Sequence, residues 1–436
     1  MILSQYCFLL SNKRGYYLFS TLFLSILQVD KKTFIYLQEC QKNKIDVNSN
    51  IISDELYSVI QSNGFLCRSY EEEFEIFRQK CYNARLDEYN MHLTIIPTMN
   101  CCFSCSYCFE KEKDSVPLSS RIINSIVEYI DKKNLKSLHV TWFGGEPLLA
   151  ISAIEEFTKK IDSTFVGDYS SDLITTGFPV NKHVVEVIKK SHISEIQITI
   201  DGNKENHNKI KFTKGCKDTF TRVFDNIKSI TSEIPDINCV IRLNITKDNL
   251  KDVPDIKKQI NESFHGKNVW LSPSLVMNNG NICTEKLFNN QDFITITKNI
   301  WSNYGIPTKW IYGMDMYECA IRKPYSLVIM PDGSLYRCWE IIGKYQDYCV
   351  GQITEGGNIS FTRNQEIINE TLKACDPFLN NDCKVCPYLP ICYGGCPMKY
   401  CKHANNTNSM KLNCTSYKDY LDIWLNLYLD YKERMV

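Results

Sequence analysis

The residues best suited to chemistry are three cysteines in one short run. Cys101, Cys105 and Cys108 have the spacing C-x3-C-x2-C. Three thiolates on one tight loop can bind three irons of a [4Fe–4S] cube and leave the fourth iron open. A structural zinc site needs four closed ligands, and no partner cysteine or histidine lies close by to complete one. Cys102 could instead begin a C-x2-C-x2-C series, but the position after a predicted strand favours Cys101.

A second motif follows the next predicted strand. The segment from Gly144 to Pro147 reads G-G-E-P. Two glycines allow the backbone to approach a ligand closely, and the carboxylate and carbonyl groups can accept hydrogen bonds from an ammonium group. Alone this motif is usually a turn, but one strand after the cysteine run it predicts a ligand site.

A second group of cysteines lies near the C-terminus. Thirteen residues separate Cys319 from Gly333, and four more precede Cys338. Farther along, the chain has the pattern C-x2-C-x5-C-x3-C and then a single later cysteine: Cys383, Cys386, Cys392, Cys396 and Cys414. The pattern predicts metal-bound thiolates, either in iron–sulfur clusters or in paired zinc ribbons.

Three segments must position these residues. Residues 1–90 contain short strand patterns followed by helical ones, and residues 91–316 alternate apolar strands with amphipathic helices. Repeated strand–helix units predict a parallel sheet, open or closed into a barrel. Residues 317–436 show little regular pattern before a final amphipathic helix near residues 417–432.

Composition restricts the classes of partner. The chain has 436 residues, with 50 basic and 50 acidic side chains, so no overall charge favours nucleic acid or a membrane surface. The apolar run Tyr16–Val29 is too short to span a bilayer, and no signal peptide pattern is present. The 21 cysteines fall into short-spaced groups, which favours metal-bound thiolates in a reducing cytoplasm over a disulfide framework.

The cysteine run and G-G-E-P together resemble the radical S-adenosylmethionine (SAM) superfamily. The resemblance implies a partial (β/α)6 TIM-like barrel whose [4Fe–4S] cluster chelates SAM and cleaves it to a 5′-deoxyadenosyl radical. It places Tyr107 against the adenine and the G-G-E-P turn at the SAM amino group. The residues that it implies as SAM contacts are Tyr107, Gly144, Gly145, Glu146, Pro147, Thr176, Thr199, Asp201 and Asn244. Lys211 stands where relatives usually have an arginine, which leaves the partner of the SAM carboxylate open.

The C-terminal array resembles the SPASM extension, which carries two auxiliary [4Fe–4S] clusters and would bring the total to three. The resemblance implies a distal cluster on Cys383, Cys386, Cys392 and Cys414, and a proximal cluster on Cys319, Cys338 and Cys396. One proximal ligand is then missing. Either Cys349, Cys375 or Cys401 supplies it, or one iron stays open to a substrate thiolate.

The first ninety residues resemble the RiPP recognition element, a winged-helix-like module that binds the leader of a ribosomal precursor peptide. Such binding adds the leader as a strand beside a sheet edge. The alternatives are a structural cap on the barrel and an ancestral DNA-binding wing, and the neutral charge argues against DNA.

The resemblances together imply a peptide maturase that abstracts hydrogen from a precursor peptide and installs a thioether or another cross-link. A flavodoxin or ferredoxin would donate the electrons. The main alternative is an anaerobic sulfatase maturase, which makes formylglycine. Such relatives carry an aspartate after the second SPASM cysteine, where this chain has Trp339. No catalytic acid or base is identified from the sequence. A non-catalytic electron carrier would leave G-G-E-P unexplained.

Overall fold

The computed structural model describes residues 1–108, 116–276, 287–288, 290–306, 319–342, 348–398, 414 and 417–435. The chain divides into two compact units. Unit 1 comprises residues 1–87, 309–323 and 367–436, and unit 2 comprises residues 88–308 and 324–366. No described helix is both long enough and apolar enough to cross a membrane.

The N-terminal part of unit 1 is a small antiparallel sheet with helices. Its elements are β1 (Ile2–Leu3), β2 (Cys7–Asn12), β3 (Gly15–Ser20), β4 (Ile26–Val29), α1 (Lys31–Asn43), α2 (Ser49–Ile52), α3 (Asp54–Ser62), β5 (Leu66–Cys67) and α4 (Tyr70–Arg85). The sheet order is β2-β3-β4, and β1 pairs with β5. Helix α1 begins where the Asp30 side chain accepts from the Thr33 N–H, and α4 begins similarly at Ser69, as expected for N-cap residues. The strands and helices that the sequence predicts here are confirmed.

Six parallel strands with intervening helices form the centre of unit 2. They are β6 (Asn90–Ile95), α5 (Ser120–Asp131), β7 (Ser137–Trp142), α6 (Ile151–Thr164), β8 (Asp168–Thr175), α7 (Lys182–Lys190), β9 (Ile193–Ile200), α8 (Lys204–Ile210), α9 (Thr219–Glu233), β10 (Asn238–Ile245), α10 (Val253–Ser263), β11 (Val269–Leu275) and α11 (Asn290–Tyr304). Each strand pairs in parallel with the next one along the chain. The predicted parallel α/β sheet is confirmed.

The two faces of this sheet differ in chemistry because side chains alternate along a strand. One face is apolar and fully buried, with Val140, Leu173 and Ile198 all at 0% exposure. Trp142 on this face meets Phe157 of α6 with ring centroids 5.3 Å apart, so this face packs against the helices. The opposite face carries half-buried polar side chains.

The C-terminal region contains more regular structure than the sequence predicts. Its elements are β12 (Leu327–Ile329), β13 (Ser334–Tyr336), β14 (Gly351–Thr354), β15 (Asn358–Phe361), α12 (Arg363–Ala374), α13 (Asn381–Lys384), α14 (Leu389–Cys392) and α15 (Tyr417–Met435). Strand β12 pairs in parallel with β6, and β13 to β15 extend the sheet with antiparallel pairing. The expectation of little regular pattern here was wrong, because strands of three or four residues leave no clear period in the sequence. The predicted final helix is confirmed as α15.

Unit 1 also contains the cysteine-rich segment, which packs on the N-terminal sheet. One cluster joins Phe19 of β3 to Leu421 and Leu425 of α15. A second cluster joins Phe77 of α4 to Phe378 and to other residues of the cysteine-rich segment. Two hydrophobic clusters therefore join the N-terminal module to the cysteine-rich segment.

Candidate functional site

The predicted cluster cysteines lie on the loop that follows β6, the first strand of the parallel sheet. Cys101, Cys105 and Cys108 are each partly exposed, and the Cys108 N–H donates to the Cys105 carbonyl at 3.1 Å. Among the described residues, no three Cys, His, Asp or Glu side chains converge on the position of a single metal ion. A cube differs from a single ion because each thiolate binds a different iron. Three partly exposed thiols on one loop therefore fit the three-thiolate set of such a cluster.

Tyr107, between the last two of these cysteines, is held by a buried polar network. Its hydroxyl donates to Asp201 at the end of β9 and accepts from the Asn244 amide at 3.1 Å. Asp201 in turn forms an ion pair with Lys211, and the two side chains are 0% and 3% exposed. Burial, followed by the Asp201 charge, raises the pKa of Tyr107 well above its usual value. The network therefore joins the cluster loop to the carboxyl ends of β9 and β10.

The structure gives Lys211 a different role from the one that the sequence left open. Its ammonium pairs with Asp201 inside the protein, so it is committed to that ion pair. The neighbouring His207 imidazole accepts from the Asp201 N–H at 3.3 Å. Burial lowers the pKa of His207 to about 3, so this ring is neutral at pH 7. The sequence pattern did not predict that Lys211 pairs with Asp201.

The G-G-E-P turn packs directly against the backbone that precedes Cys101. Gly144 has a φ of +122°, which side-chain-bearing residues rarely adopt. A Cβ atom on Gly145 would overlap the carbonyl oxygens of Met99 and Asn100. The Glu146 N–H donates to the Asn100 carbonyl at 2.8 Å. The two glycines are therefore required for the contact between this turn and the cluster loop.

The Glu146 side chain is fully buried and makes its hydrogen bonds within the protein. One carboxylate oxygen accepts from the Leu148 N–H at 3.0 Å and from the Thr175 hydroxyl at 2.6 Å. The other accepts from the Thr176 N–H at 2.8 Å and from the Thr176 hydroxyl. Burial raises the pKa of Glu146, although these hydrogen bonds oppose the shift. Glu146 thus ties the end of β7 to the end of β8, and Pro147 begins the short helical turn that follows.

The remaining predicted SAM contacts lie at the carboxyl ends of neighbouring strands. Thr199 of β9 is opposite Arg242 of β10 in the parallel register. The Arg242 guanidinium donates to Asn244 at 3.0 Å and to Ser274 at 2.7 Å. Arg242 was not among the predicted site residues, although its half-buried position on the polar face puts it beside two of them. Carboxyl ends of parallel strands are the usual place for a ligand in such sheets.

A cavity of about 300 Å³ opens beside the cluster loop. Its lining residues are Ser104, Ser106, Asn206, Lys209, Ile210, Phe212, Thr246, Asp248 and Asn249. The exposed ring of Phe212 and the polar side chains of Asn206 and Asn249 are among them. The cavity is therefore lined by the cluster loop, by α8 with the residues after it, and by the segment that follows β10.

Farther down the polar face lies a group of titratable side chains that the sequence analysis missed. His139 of β7 bonds Ser170 at 2.9 Å and Asp172 at 3.0 Å through its two ring nitrogens. His92 of β6 bonds Thr141 at 2.9 Å, and the two histidine rings are 4.8 Å apart. Period-two alternation of His, Thr and Asp with Leu and Val along β6 to β8 was the signal that could have identified them.

The predicted distal-cluster cysteines all belong to unit 1. Burial, followed by the charges of Cys392, Cys386 and Cys414, raises the pKa of Cys383 to about 11. The charges of the other three thiols therefore act on Cys383, and the ligand set of this cluster stays a prediction.

The predicted proximal set is divided between the two units. Cys319 and Cys396 belong to unit 1, and Cys338 belongs to unit 2. Of the candidate fourth ligands, Cys375 is buried and accepts from Arg322 at 3.6 Å, and the Cys349 thiol donates to the Gly351 carbonyl at 3.3 Å. Cys401 lies outside the described residues. The ligand set of this cluster stays a prediction.

Comparisons with known proteins agree with the geometry. Residues 95–260 match the profile of the Radical SAM superfamily. The cysteine-type anaerobic sulfatase-maturating enzyme of Clostridium novyi (strain NT) is 23% identical over 362 residues, which cover 74% of this chain and 92% of that enzyme. The radical SAM cyclopropyl synthase TigE of Paramaledivibacter caminithermalis is 22% identical over 312 residues, covering 63% of this chain and 64% of that protein.

Among solved structures, native anSMEcpe with bound AdoMet and the Cp18Cys peptide has the same fold. It aligns with a TM-score of 0.61 at 18% identity, over 78% of this chain and 99% of that one. About a fifth of this chain therefore has no counterpart there. The profile match begins at the end of β6 and includes the cysteine loop and the G-G-E-P turn. Residues 95–260 therefore form a radical SAM core, and the chain is a radical SAM enzyme.

Proposed function

We propose that this radical SAM enzyme abstracts hydrogen from a ribosomally made precursor peptide and installs a thioether or another cross-link. When bound, the cluster on Cys101, Cys105 and Cys108 together with SAM supplies a carbon-centred radical. The protein's own contribution is to hold SAM at the carboxyl ends of the strands and to place one C–H bond of the peptide beside it.

The polar face of the parallel sheet supports binding of a peptide next to SAM. His139, Asp172 and Arg242 line this face below and beside the predicted SAM contacts. The His139 and Asp172 side chains are 32% and 31% exposed, so they are accessible to a ligand. Polar groups of this kind can meet the amide groups of a bound peptide, which lose their water on binding.

The N-terminal sheet is the proposed leader-binding element. Strands β2 and β4 are its outer strands, and a peptide can add to such a strand through main-chain hydrogen bonds. A surface cavity of about 580 Å³ lies beside β2 and is lined by Leu9, Ile35, Gln38, Glu39, Gln41 and Lys42. Two of the six lining side chains, Leu9 and Ile35, are apolar and would contact an apolar side chain of the leader.

The observation that carries the proposal is the packing within unit 1, where the proposed leader-binding module contacts the predicted auxiliary-cluster segment. A cross-link removes two hydrogen atoms from the peptide. One is taken by the SAM-derived radical, and the other leaves as a proton and an electron. Auxiliary clusters on the C-terminal cysteines would supply an acceptor for that electron.

The test is to incubate the reduced, reconstituted enzyme with SAM and candidate cysteine- or aromatic-rich precursor peptides, drawn from short reading frames next to its gene. We expect 5′-deoxyadenosine together with a peptide lighter by two hydrogen atoms. The same peptide without its leader should give 5′-deoxyadenosine but little product. Cleavage of SAM with no change in either peptide would contradict the proposal.

Leader binding is tested separately by two matched substitutions. Ile35→Glu places a charge in the cavity beside β2, and we expect at least tenfold weaker binding of a fluorescent leader peptide. Ile45→Glu is the control, because Ile45 is similarly exposed at 49% against 46% for Ile35 and does not line the cavity. Equal affinities for the two variants would place the leader elsewhere.

The alternative is formylglycine formation in a sulfatase, and two relatives are named cysteine-type anaerobic sulfatase-maturating enzymes. Position 339 argues against it here. Trp339 is 40% exposed, and its ring meets Phe143 at 5.6 Å, so an aromatic surface replaces a carboxylate. Conversion of a sulfatase-derived cysteine peptide to an aldehyde, detected by hydroxylamine labelling, would favour the alternative.

A further inference from the structure

Tyr6 presents a buried hydroxyl that its packing does not explain. The residue is 0% exposed, and within the described part of the chain its hydroxyl has no hydrogen-bond partner. The amide nitrogen of the adjacent Gln5 is likewise buried without a partner. A buried hydroxyl without a partner is unfavourable, and phenylalanine would fill the same space without this cost.

The surroundings of Tyr6 include the segment that carries the predicted distal-cluster cysteines. Tyr6 belongs to a buried cluster with Phe77, Phe378 and Leu389, against which Cys383 packs. The Tyr6 and Phe77 rings are 5.9 Å apart and edge-on. The ring is therefore fixed in an apolar environment at the edge of the cysteine segment.

Hydrogen bonds tie the Tyr6 backbone to the turn that contains Cys386. The Thr21 hydroxyl lies 2.6 Å from the carbonyl oxygen of Pro387, the residue after Cys386, and 3.3 Å from the carbonyl oxygen of Tyr6. The Thr21 N–H also donates to the Tyr6 carbonyl at 3.0 Å. Thr21 thus holds Tyr6 and the Cys386–Pro387 turn together.

The electrostatics of the phenol agree with this geometry. Burial is the main cause that raises the pKa of Tyr6, and the charge of Glu73 is the next. The Gln5 side-chain amide lies near enough to lower this pKa, but it does not reach the geometry of a hydrogen bond to the hydroxyl. The charges of Cys81 and Cys386 raise the pKa further. The phenol is therefore a neutral donor at pH 7, within electrostatic range of the Cys386 sulfur.

We propose that the Tyr6 hydroxyl donates a hydrogen bond to the Cys386 sulfur when that sulfur is a thiolate ligand of an auxiliary iron–sulfur cluster. The inference rests on the auxiliary cluster of the proposed function. A thiolate is a strong acceptor and would satisfy the hydroxyl. Hydrogen bonds to cluster sulfurs stabilise the more negative, reduced state and so raise the reduction potential. The N-terminal module would then tune the cluster as well as bind the leader.

The test is a redox titration of the reconstituted full-length protein, followed by EPR, for the parent and Tyr6→Phe. The control is Tyr82→Phe. Tyr82 packs against the same hydrophobic cluster as Tyr6, but its hydroxyl already donates to Asp376 at 3.0 Å. We expect one auxiliary signal to move to a more negative midpoint potential in Tyr6→Phe only. The SAM-cluster signal should not move in either variant.

The iron content separates this inference from the proposed function. If the parent and both variants bind the same full complement of iron and their midpoint potentials coincide, the Tyr6 inference is wrong while the auxiliary clusters stand. If the two variants shift equally, the effect is one of packing and the inference is also wrong. A parent with irons for the SAM cluster alone overturns both, because Tyr6 then has no cluster sulfur to bond.

Discussion

The ion pair between Lys211 and Asp201 gives the sharpest prediction for the SAM side of the protein. Lys211→Met keeps the length of the side chain and removes its charge. The two partners are 3% and 0% exposed, so the variant leaves a carboxylate buried without its cation. Breaking a buried pair in this way costs roughly 3–5 kcal/mol. Asp201 still accepts a hydrogen bond from the Tyr107 hydroxyl in this variant. We therefore expect the free energy of unfolding to fall by an amount near the lower end of that range, about 3 kcal/mol.

The assay is equilibrium unfolding in urea, comparing midpoints at a constant slope. Lys209→Met, two residues away near the end of α8, is the matched control, because Lys209 is 66% exposed and pairs with exposed Glu205. We expect no measurable change for it. Adding Asp201→Asn to Lys211→Met removes the stranded charge and should recover about 1 kcal/mol or more. A Lys211→Met variant within about 0.5 kcal/mol of the parent would refute the buried ion pair.

Three further predictions concern single positions. Gly145→Ala forces the G-G-E-P turn away from the cluster loop, so SAM should bind at least tenfold more weakly by calorimetry. Gly215→Ala is the control, because its added Cβ meets no atom within 4 Å, and it should bind SAM as the parent does. His207 has a pKa of about 3 in the folded protein and about 6.5 when unfolded. As the pH falls, the His207 imidazole is therefore protonated in the unfolded chain before it is protonated in the folded protein, and this favours unfolding. Between pH 7 and pH 5 the parent should lose about 2 kcal/mol more stability than His207→Gln, and parallel curves would contradict this. Arg85→Met strands Asp376, which is 6% exposed, and should cost about 3 kcal/mol in urea unfolding; an unchanged midpoint would show that this pair is not buried.

The sequence predicted the parallel sheet well because its signal is local. Each strand from β6 to β10 reads as an apolar run or an alternating pattern, and each is followed by a helical pattern. The order of the strands then follows from short connections between neighbours. The short strands β12 to β15 escaped prediction, because β12 pairs with β6 across most of the chain and its three residues show no period.

The site was predicted in its residues but not in its contacts. Tyr107 and Asp201 were both expected near SAM, but their bond joins positions 94 residues apart, and no motif spacing encodes it. Glu146 was expected to face a ligand, whereas the structure satisfies both of its oxygens from Leu148, Thr175 and Thr176. Such pairings are set by which strand ends meet in three dimensions.

The contacts of the N-terminal module were likewise not predictable from local sequence patterns. The strands and helices of the module could be predicted from their patterns, but the hydrophobic clusters that join it to the cysteine-rich segment could not. Contacts such as Thr21 with Pro387 join positions 366 residues apart. The inference about Tyr6 depends wholly on this packing.

We propose that the chain binds three iron–sulfur clusters, one with SAM and two auxiliary, and a count of iron and sulfide per chain measures this number. The protein is purified and reconstituted without oxygen, beside a variant with Cys101, Cys105 and Cys108 all changed to Ala. We predict about twelve irons in the parent and about eight in the variant, as expected for three four-iron cubes. A parent with about four irons, or with zinc in its C-terminal region, would exclude the two auxiliary clusters.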